Sequence, residues 1–298
     1  MVQVRRVCSR IAIAGATLGV MLASGAAQAD PGPAPPAAET AADAGLAAPA
    51  TPMPASTTRS FSTDRPTKSY VPYTVDQGHF QYETDLAVYA VARQDGADIR
   101  TWTIVDPTLK LGLTHAIDIE VQATPFEGAV IRTGSRRSAV SGCSDSVVRL
   151  KINLIGNDGG TLAIAVMPYV KVPTARSALG NGAVEGGLIT PISIALPQAF
   201  TLVLSPEIDE LHNGQARGYH RSANILANLS HPVGKRWTLY AEAFATRSFE
   251  RGDSRVYTLD TAVAWAITPR LQWDAGANFK LGGVVPAAQI YTGLSQRF

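Results

Sequence analysis

The sequence predicts an all-β protein, a transmembrane antiparallel up-and-down β-barrel of about 12 strands behind a disordered N-terminal linker. Three observations carry that prediction. From Phe80 onward, apolar and ionised side chains alternate with a period of two, so each segment has one wet face and one apolar face. Short connections alternate with longer ones, as in outer-membrane barrels with tight periplasmic turns. The chain ends on Phe298, with Ile290, Leu294 and Phe298 on one face of an extended segment and Tyr291, Gly293, Ser295 and Arg297 on the other. A soluble domain gains little from a terminal aromatic residue, because termini fray into water. A closed barrel does gain, because its last strand must pair with its first while one face meets lipid.

In chain order, residues 1–29 read as a cleaved secretory signal peptide. Arg5, Arg6 and Arg10 precede a 12-residue apolar run, Ile11 to Leu22, and Ala27-Gln28-Ala29 supplies a small-residue cleavage site. The run is shorter than the ~20 residues of a membrane helix. Cys8 precedes it and is badly placed for lipid attachment. Removing the leader takes three of the 26 basic residues and no acid, which leaves 23 basic against 24 acidic residues and a net charge of −1. The basic balance of the whole chain therefore does not point to nucleic acid. Cys143 is the one cysteine of the mature chain, which excludes an internal disulfide framework. Residues 30–58 are Pro/Ala-rich without Lys, Arg or aromatic side chains, and read as a disordered periplasmic linker.

Residues 59–79 form a separate N-terminal segment. It carries Phe61, Tyr70 and Tyr73 with Asp64, Arg65 and Lys68, while Pro66 and Pro72 oppose a helix or a central strand. Its aromatic residues need a place drier than bulk water, and the periplasmic mouth of the lumen is the nearest. The expectation is a constriction built on Asp64 and Arg65, with Arg65 paired to Glu83, Asp118 and Glu120.

The barrel proper is expected over residues 80–298, with strands at 80–92, 99–113, 117–125, 145–155, 161–172 and 186–196, then 200–208, 219–231, 237–247, 255–268, 271–281 and 287–298. In the first, Phe80, Tyr82, Thr84, Leu86 and Val88 face lipid and Gln81, Glu83 and Asp85 face inward. "VVRLKINLIG" sets Val148, Leu150, Ile152 and Leu154 against Arg149, Lys151 and Asn153. The tight turns THA, NDGG, PQA, PVGKR and TPR follow every second strand, while 126–144 and 173–185 are long outer loops. An even strand count leaves both termini periplasmic. Trp102, Trp237, Trp273 and Tyr291 near strand ends suit an interfacial girdle. A secreted β-sandwich would also alternate, but neither the turn pattern nor the terminal Phe follows from it.

Several stretches resemble a family of outer-membrane transporters named for the meta-pathway of phenol degradation. They are STDRP at 62–66, GHFQYET at 78–84, SDSVVRLKINLIGNDGG at 144–160, LAIAVMPYVKVPTA at 162–175, GAVEGGLITPISIALP at 182–197, GYH at 218–220 and the terminal RF. The resemblance spans residues 60–298 and implies an outer-membrane barrel with a transport role, often encoded near genes for breakdown of aromatic or hydrophobic compounds. It brings no catalytic residues. SDS departs from the Gly-Asp pair expected at 144–145.

No enzyme is expected. His79, His115, His212, His220 and His231 are scattered, none at metal-ligand spacing from another His or Cys, and no nucleophile motif surrounds any Ser. His220 beside Ser222 is the least unfavourable catalytic pair. RGD at 251–253 reads as a solvated loop and Cys143 as an unpaired surface thiol. The candidate lumen-lining residues are Glu83, Asp85, Asp118, Glu120, Arg149, Lys151, Glu207, Glu242, Asp260, Asp274 and Lys280, and Phe298 is the expected assembly signal. They fill a hydrated interior by pairing, line a permeation route, or do both. Expected partners are the outer-membrane bilayer of a Gram-negative cell, the barrel-assembly machinery and a small-molecule solute. No cofactor, metal or nucleic acid is expected. The expected function is passive passage of small compounds, and the alternative is a structural or surface-interaction barrel without transport.

Overall fold

The computed structural model describes residues 58–175, 179–214, 217–253 and 255–298. The expected signal peptide and all but the last residue of the expected 30–58 linker lie outside them. Sixteen β-segments make twelve antiparallel staves. Single segments form the staves β1 (Phe80–Gln94), β2 (Ala97–Gly112), β7 (Leu162–Val172), β12 (Tyr219–Val233), β13 (Trp237–Ser248), β14 (Val256–Thr268), β15 (Leu271–Gly282) and β16 (Ala288–Arg297). The other four are broken in two: β3 (Ile117–Gln122) with β4 (Phe126–Thr133), β5 (Arg136–Gly142) with β6 (Ser146–Ile155), β8 (Glu185–Ile189) with β9 (Ile192–Ala195), and β10 (Thr201–Leu204) with β11 (Glu207–His212).

The wall closes because β1 pairs with both β2 and β16, from Gln81 opposite Arg297 to Val91 opposite Ala288. The Phe298 N–H donates to the Phe80 carbonyl at 2.8 Å, and the two rings lie 5.8 Å apart on the outer surface. Closure leaves no unpaired edge within the bilayer, the condition for a sheet to cross one. The apolar face points outward: Leu109, Ile225, Leu229, Leu239, Leu259 and Ile290 are exposed, whereas Gln81, Glu83, Lys110, Asp118, Glu242, Asp260 and Asp274 are buried inside.

Prolines explain most of the broken staves. Pro191 and Pro206 sit at the matched breaks of two adjacent staves, and Pro125 follows β3, each withholding an N–H from the ladder. The freed groups are used nearby: the Thr190 N–H donates to the Pro206 carbonyl at 2.9 Å and the Ala165 N–H to the Pro191 carbonyl at 2.9 Å.

Three expectations need correction. The register of β1 and β2 skips Leu86 and Val105, with Asp85 opposite Asp106 and Ala87 opposite Ile104, and Val105 has φ 55°. One extra residue on each strand reverses the alternation beyond it. Tyr89 and Val91 therefore face lipid while Ala90 is buried, and Val88 leaves the lipid-facing set in which the sequence placed it. The expected outer loop 126–144 is a hairpin: β4 extends alongside β2, and β5 returns through a two-residue turn at 134–135. The first outer connection is likewise a two-residue turn, Asp95-Gly96, both at positive φ as a tight hairpin requires. Tyr291 faces inward with its hydroxyl over Gly276, so it is not part of the aromatic girdle. Trp237 does belong to the outer surface, stacked on Trp265 at 5.6 Å.

Two outcomes are expected. Ile225→Arg, at the middle of β12 on the lipid face, should destabilise the barrel by ~2–4 kcal/mol and reduce heat-modifiable migration on gels. In a Cys143→Ser background, a membrane-impermeant thiol label on intact cells should reach Arg251→Cys and miss Thr114→Cys.

Candidate functional site

From Ser60 onward the N-terminal residues run inside the barrel and bond to side chains of β1, β2, β3, β6, β13, β14, β15 and β16. The anchoring begins with Asp64, buried among three strands. Its carboxylate accepts from Lys151 Nζ at 3.0 and 2.8 Å, from Lys110 Nζ, and from the Val71 N–H at 2.8 Å. Lys110 also pairs with Glu83 at 2.7 Å and Glu120 at 3.4 Å, and Lys151 with Glu120 at 3.0 Å. Burial pushes the Asp64 carboxyl up, but the two lysines outweigh it and hold the group well below the usual carboxylate range.

Arg65 makes the second anchor. Its fork donates to Asp274 through Nε at 3.1 Å and Nη2 at 2.6 Å, and Nη1 pairs with Asp85 at 2.8 Å. These partners replace the expected Glu83, Asp118 and Glu120, because Lys110 and Lys151 already occupy Glu83 and Glu120 while Asp118 accepts the Val75 N–H at 2.8 Å. The guanidinium occupies the space that a Cβ on residue 293 would fill, so only glycine there admits it.

Further along, the Glu242 carboxylate accepts the Lys68 and Ser69 N–H groups, each at 3.0 Å. Lys68 Nζ reaches Asp260 at 2.7 Å and lies 5.1 Å from the Phe244 ring centroid. The far side of the lumen is held more lightly. Ser205 Oγ donates to the Tyr70 carbonyl at 3.1 Å, the Tyr73 hydroxyl meets Ser193 at 3.4 Å, and Arg149 lies 5.2 Å from the Tyr70 ring centroid. Asn153 and Asn157 then take the Pro72 carbonyl and the Thr74 N–H, at 2.8 and 3.0 Å, before Asp76 pairs with Arg297 at 3.2 Å.

Of the eleven lumen candidates, Glu83, Asp118, Glu120, Arg149, Lys151, Glu242, Asp260 and Asp274 are buried inside the barrel. Asp85 and Glu207 are half-buried, and Lys280 is exposed near the outer end of β15. Sequence reasoning missed Lys110, whose strand was assigned but whose charge was not placed on a face. It also missed apolar residues on the inner face: Ile99 with Ile131, Val256 with Val285, and Val147, Met167 and Ile189 in the cluster that packs against Tyr70. The catalytic pair considered for His220 does not form. His220 Nδ1 bonds to Asn213 at 2.9 Å and Ser222 Oγ to Thr246 at 3.3 Å. His220 has acidic neighbours instead, because carboxylate oxygens of Glu250 and Asp253 lie near its ring.

A closed barrel with an apolar outer belt and an ionic interior defines the chain as an outer-membrane β-barrel. It belongs to the family described as "Putative MetA-pathway of phenol degradation", whose model matches residues 63–298. No protein of curated function matches it in sequence. The COG4313 outer membrane channel from Pseudomonas putida F1 superposes with a TM-score of 0.55 at 14% identity, over 76% of this chain and 97% of that one. The translocator domain of autotransporter NalP from Neisseria meningitidis gives 0.49 at 11%, over 75% and 90%. The CymD monoaromatic hydrocarbon channel gives 0.39 at 8%, over 74% and 88%. At such identities the likeness concerns the fold.

The glycine at 293 supplies the test of this site. Gly293→Val should expel Arg65 and lower stability by ~3–5 kcal/mol, the cost of breaking a buried ion pair. Adding Arg65→Ala should cost little more, as a coupled pair requires. Additive losses in denaturant unfolding would mean that Gly293 serves something other than Arg65.

Proposed function

We propose that the protein is a passive outer-membrane channel for small solutes in which residues 59–75 form the constriction. The observation that carries this reading is the seat of that segment. Inside the twelve-stave barrel it is held by Asp64, Arg65 and Lys68 to inward-facing charges of the wall. The apolar residues of the inner face, Ile99, Ile131, Val256 and Met167, favour solutes with hydrophobic or aromatic surface over fully hydrated ions. The family's description agrees with that class of solute. In this reading the leader at 1–29 is cleaved on export, and the linker at 30–58 remains periplasmic. Phe298, paired to Phe80 and exposed to lipid, is the signal read by the barrel-assembly machinery.

One observation favours the alternative of a structural barrel without transport: the ion pairs that seat the segment are buried and multiple. Planar-bilayer conductance separates the two. Deleting residues 59–75 should raise single-channel conductance at a fixed salt concentration without abolishing insertion, and Arg65→Ala should do so in part, with more flicker. A deletion that inserts yet conducts no better than the full-length chain would remove the constriction from the proposal. Liposome swelling with small aromatics, fatty acids and sugars then ranks the solutes.

A further inference from the structure

The outer end of β12 carries a histidine that the channel reading does not use. His220 faces inward with 9% of its surface exposed. The pairing of β12 with β13 sets Ser222 opposite Ser248, and the Phe249 N–H continues the ladder by donating to the Arg221 carbonyl at 2.9 Å. The same register carried two residues further brings His220 level with Glu250. The chain then turns, with the Asp253 N–H donating to the Glu250 carbonyl at 3.2 Å, and this turn returns a second carboxylate to the imidazole. One ligand atom from each of His220, Glu250 and Asp253 lies within 4.8 Å of the other two.

The tautomer follows from the neighbours. An amide oxygen only accepts, so the 2.9 Å contact between His220 Nδ1 and Asn213 Oδ1 places the proton on Nδ1. The Nε2 lone pair is then available. That atom is buried and has no hydrogen-bond partner among the described residues. An imidazole oriented through its other nitrogen, with an unused lone pair beside two carboxylates, is the arrangement of a metal-binding histidine. Glu250 is itself oriented, accepting the Gly214 N–H at 3.2 Å while its own N–H donates to Ser248 Oγ at 3.1 Å.

We propose that His220, Glu250 and Asp253 form a divalent-cation site suited to Zn²⁺ at the outer mouth of the lumen. One nitrogen and two carboxylate donors suit a borderline first-row ion better than Ca²⁺, which takes oxygen donors alone, and no thiolate is present to select a soft ion. Bonds of ~2.0–2.2 Å set tetrahedral ligands about 3.4 Å apart. Binding therefore draws the 249–253 turn and β12 together. The bound ion links the outer end of β12 to the neighbouring β13–β14 connection.

Competition between full-length, untagged protein in detergent and a zinc-sensitive chromophoric chelator, with Zn²⁺ as the only added metal, tests the site. One Zn²⁺ per chain is expected, with affinity at least tenfold lower in His220→Ala and in Asp253→Asn, and unchanged in Glu210→Gln, an exposed carboxylate outside the cluster. Asp253 lies in a surface turn, so its substitution tests the site even if His220→Ala fails to fold, as judged by heat-modifiable migration. No zinc bound by the full-length protein would overturn the proposal and leave a histidine beside two acids. Equal zinc binding by Asp253→Asn, or displacement of Zn²⁺ by equimolar Ca²⁺, would overturn it as well. Conductance plays no part in the readout, so the result stands apart from the channel reading.

Discussion

The Asp64 carboxylate is the point on which the interior depends. Lys110 on β2 and Lys151 on β6 stand on either side of β3 and converge on it inside the wall, almost wholly removed from water. Two ammonium groups cannot share so dry a place without anions between them, and leaving one charge unpaired costs more than the pair gains. Glu83 and Glu120 match that charge from the wall, and Asp64 of the segment bonds to both ammonium groups between them. Wall and segment therefore share one buried network of charges, and the segment is held by it as more than a tether.

The strand map was legible in the sequence because alternation over nine or more residues is a strong signal and the terminal Phe fixes the register of closure. What was not legible has physical causes. The bulge at Leu86 and Val105 falls within an unbroken apolar run, Leu86 to Val88, where a one-residue slip leaves the composition of either face almost unchanged. Proline at 125, 191 and 206 marks where a ladder bond must be lost, but not that two of the breaks lie side by side and satisfy each other's backbone. The hairpin at 126–142 was read as a loop because Arg132, Arg136 and Arg137 interrupt its alternation. Above the bilayer, neither face of a strand needs to be apolar.

At the site, the sequence identified the charges and their parity, and erred in pairing them. Arg65 was assigned to Glu83, Asp118 and Glu120, which are near in sequence order to the first strand. The fork instead reached Asp274, more than two hundred residues away, because Gly293 leaves a gap in the wall beside it. A glycine inside a strand is a weak signal alone. Placed on the inner face, it marks where something must approach the backbone closely. His220, Glu250 and Asp253 were hidden for a related reason. Their thirty-residue separation matches no metal motif, and the register that brings them together depends on the length of an antiparallel pair.

The anchors are unevenly distributed around the lumen, and this bears on where a solute passes. From β1 through β6, and from β13 through β16, the segment is held by charged pairs: Asp64 with two lysines, Arg65 with two aspartates, Lys68 with Asp260, and Arg297 with Asp76. Against β9 and the residue that follows β10 it has one backbone acceptor bond, from Ser205 to Tyr70, and a long hydroxyl contact between Tyr73 and Ser193. Neutral hydrogen bonds of this kind contribute about 0.5–1.5 kcal/mol each, less than a buried charged pair costs to break. A passage along β9 and β10 therefore opens at lower cost than one along β1 or β15, and it needs only a shift of Tyr70 and Tyr73 while Asp64 and Arg65 stay seated. Met167, Ile189 and Val147 belong to the apolar cluster against which Tyr70 packs. The loosest part of the seal thus adjoins an apolar part of the inner wall, and displacement of one aromatic ring uncovers it.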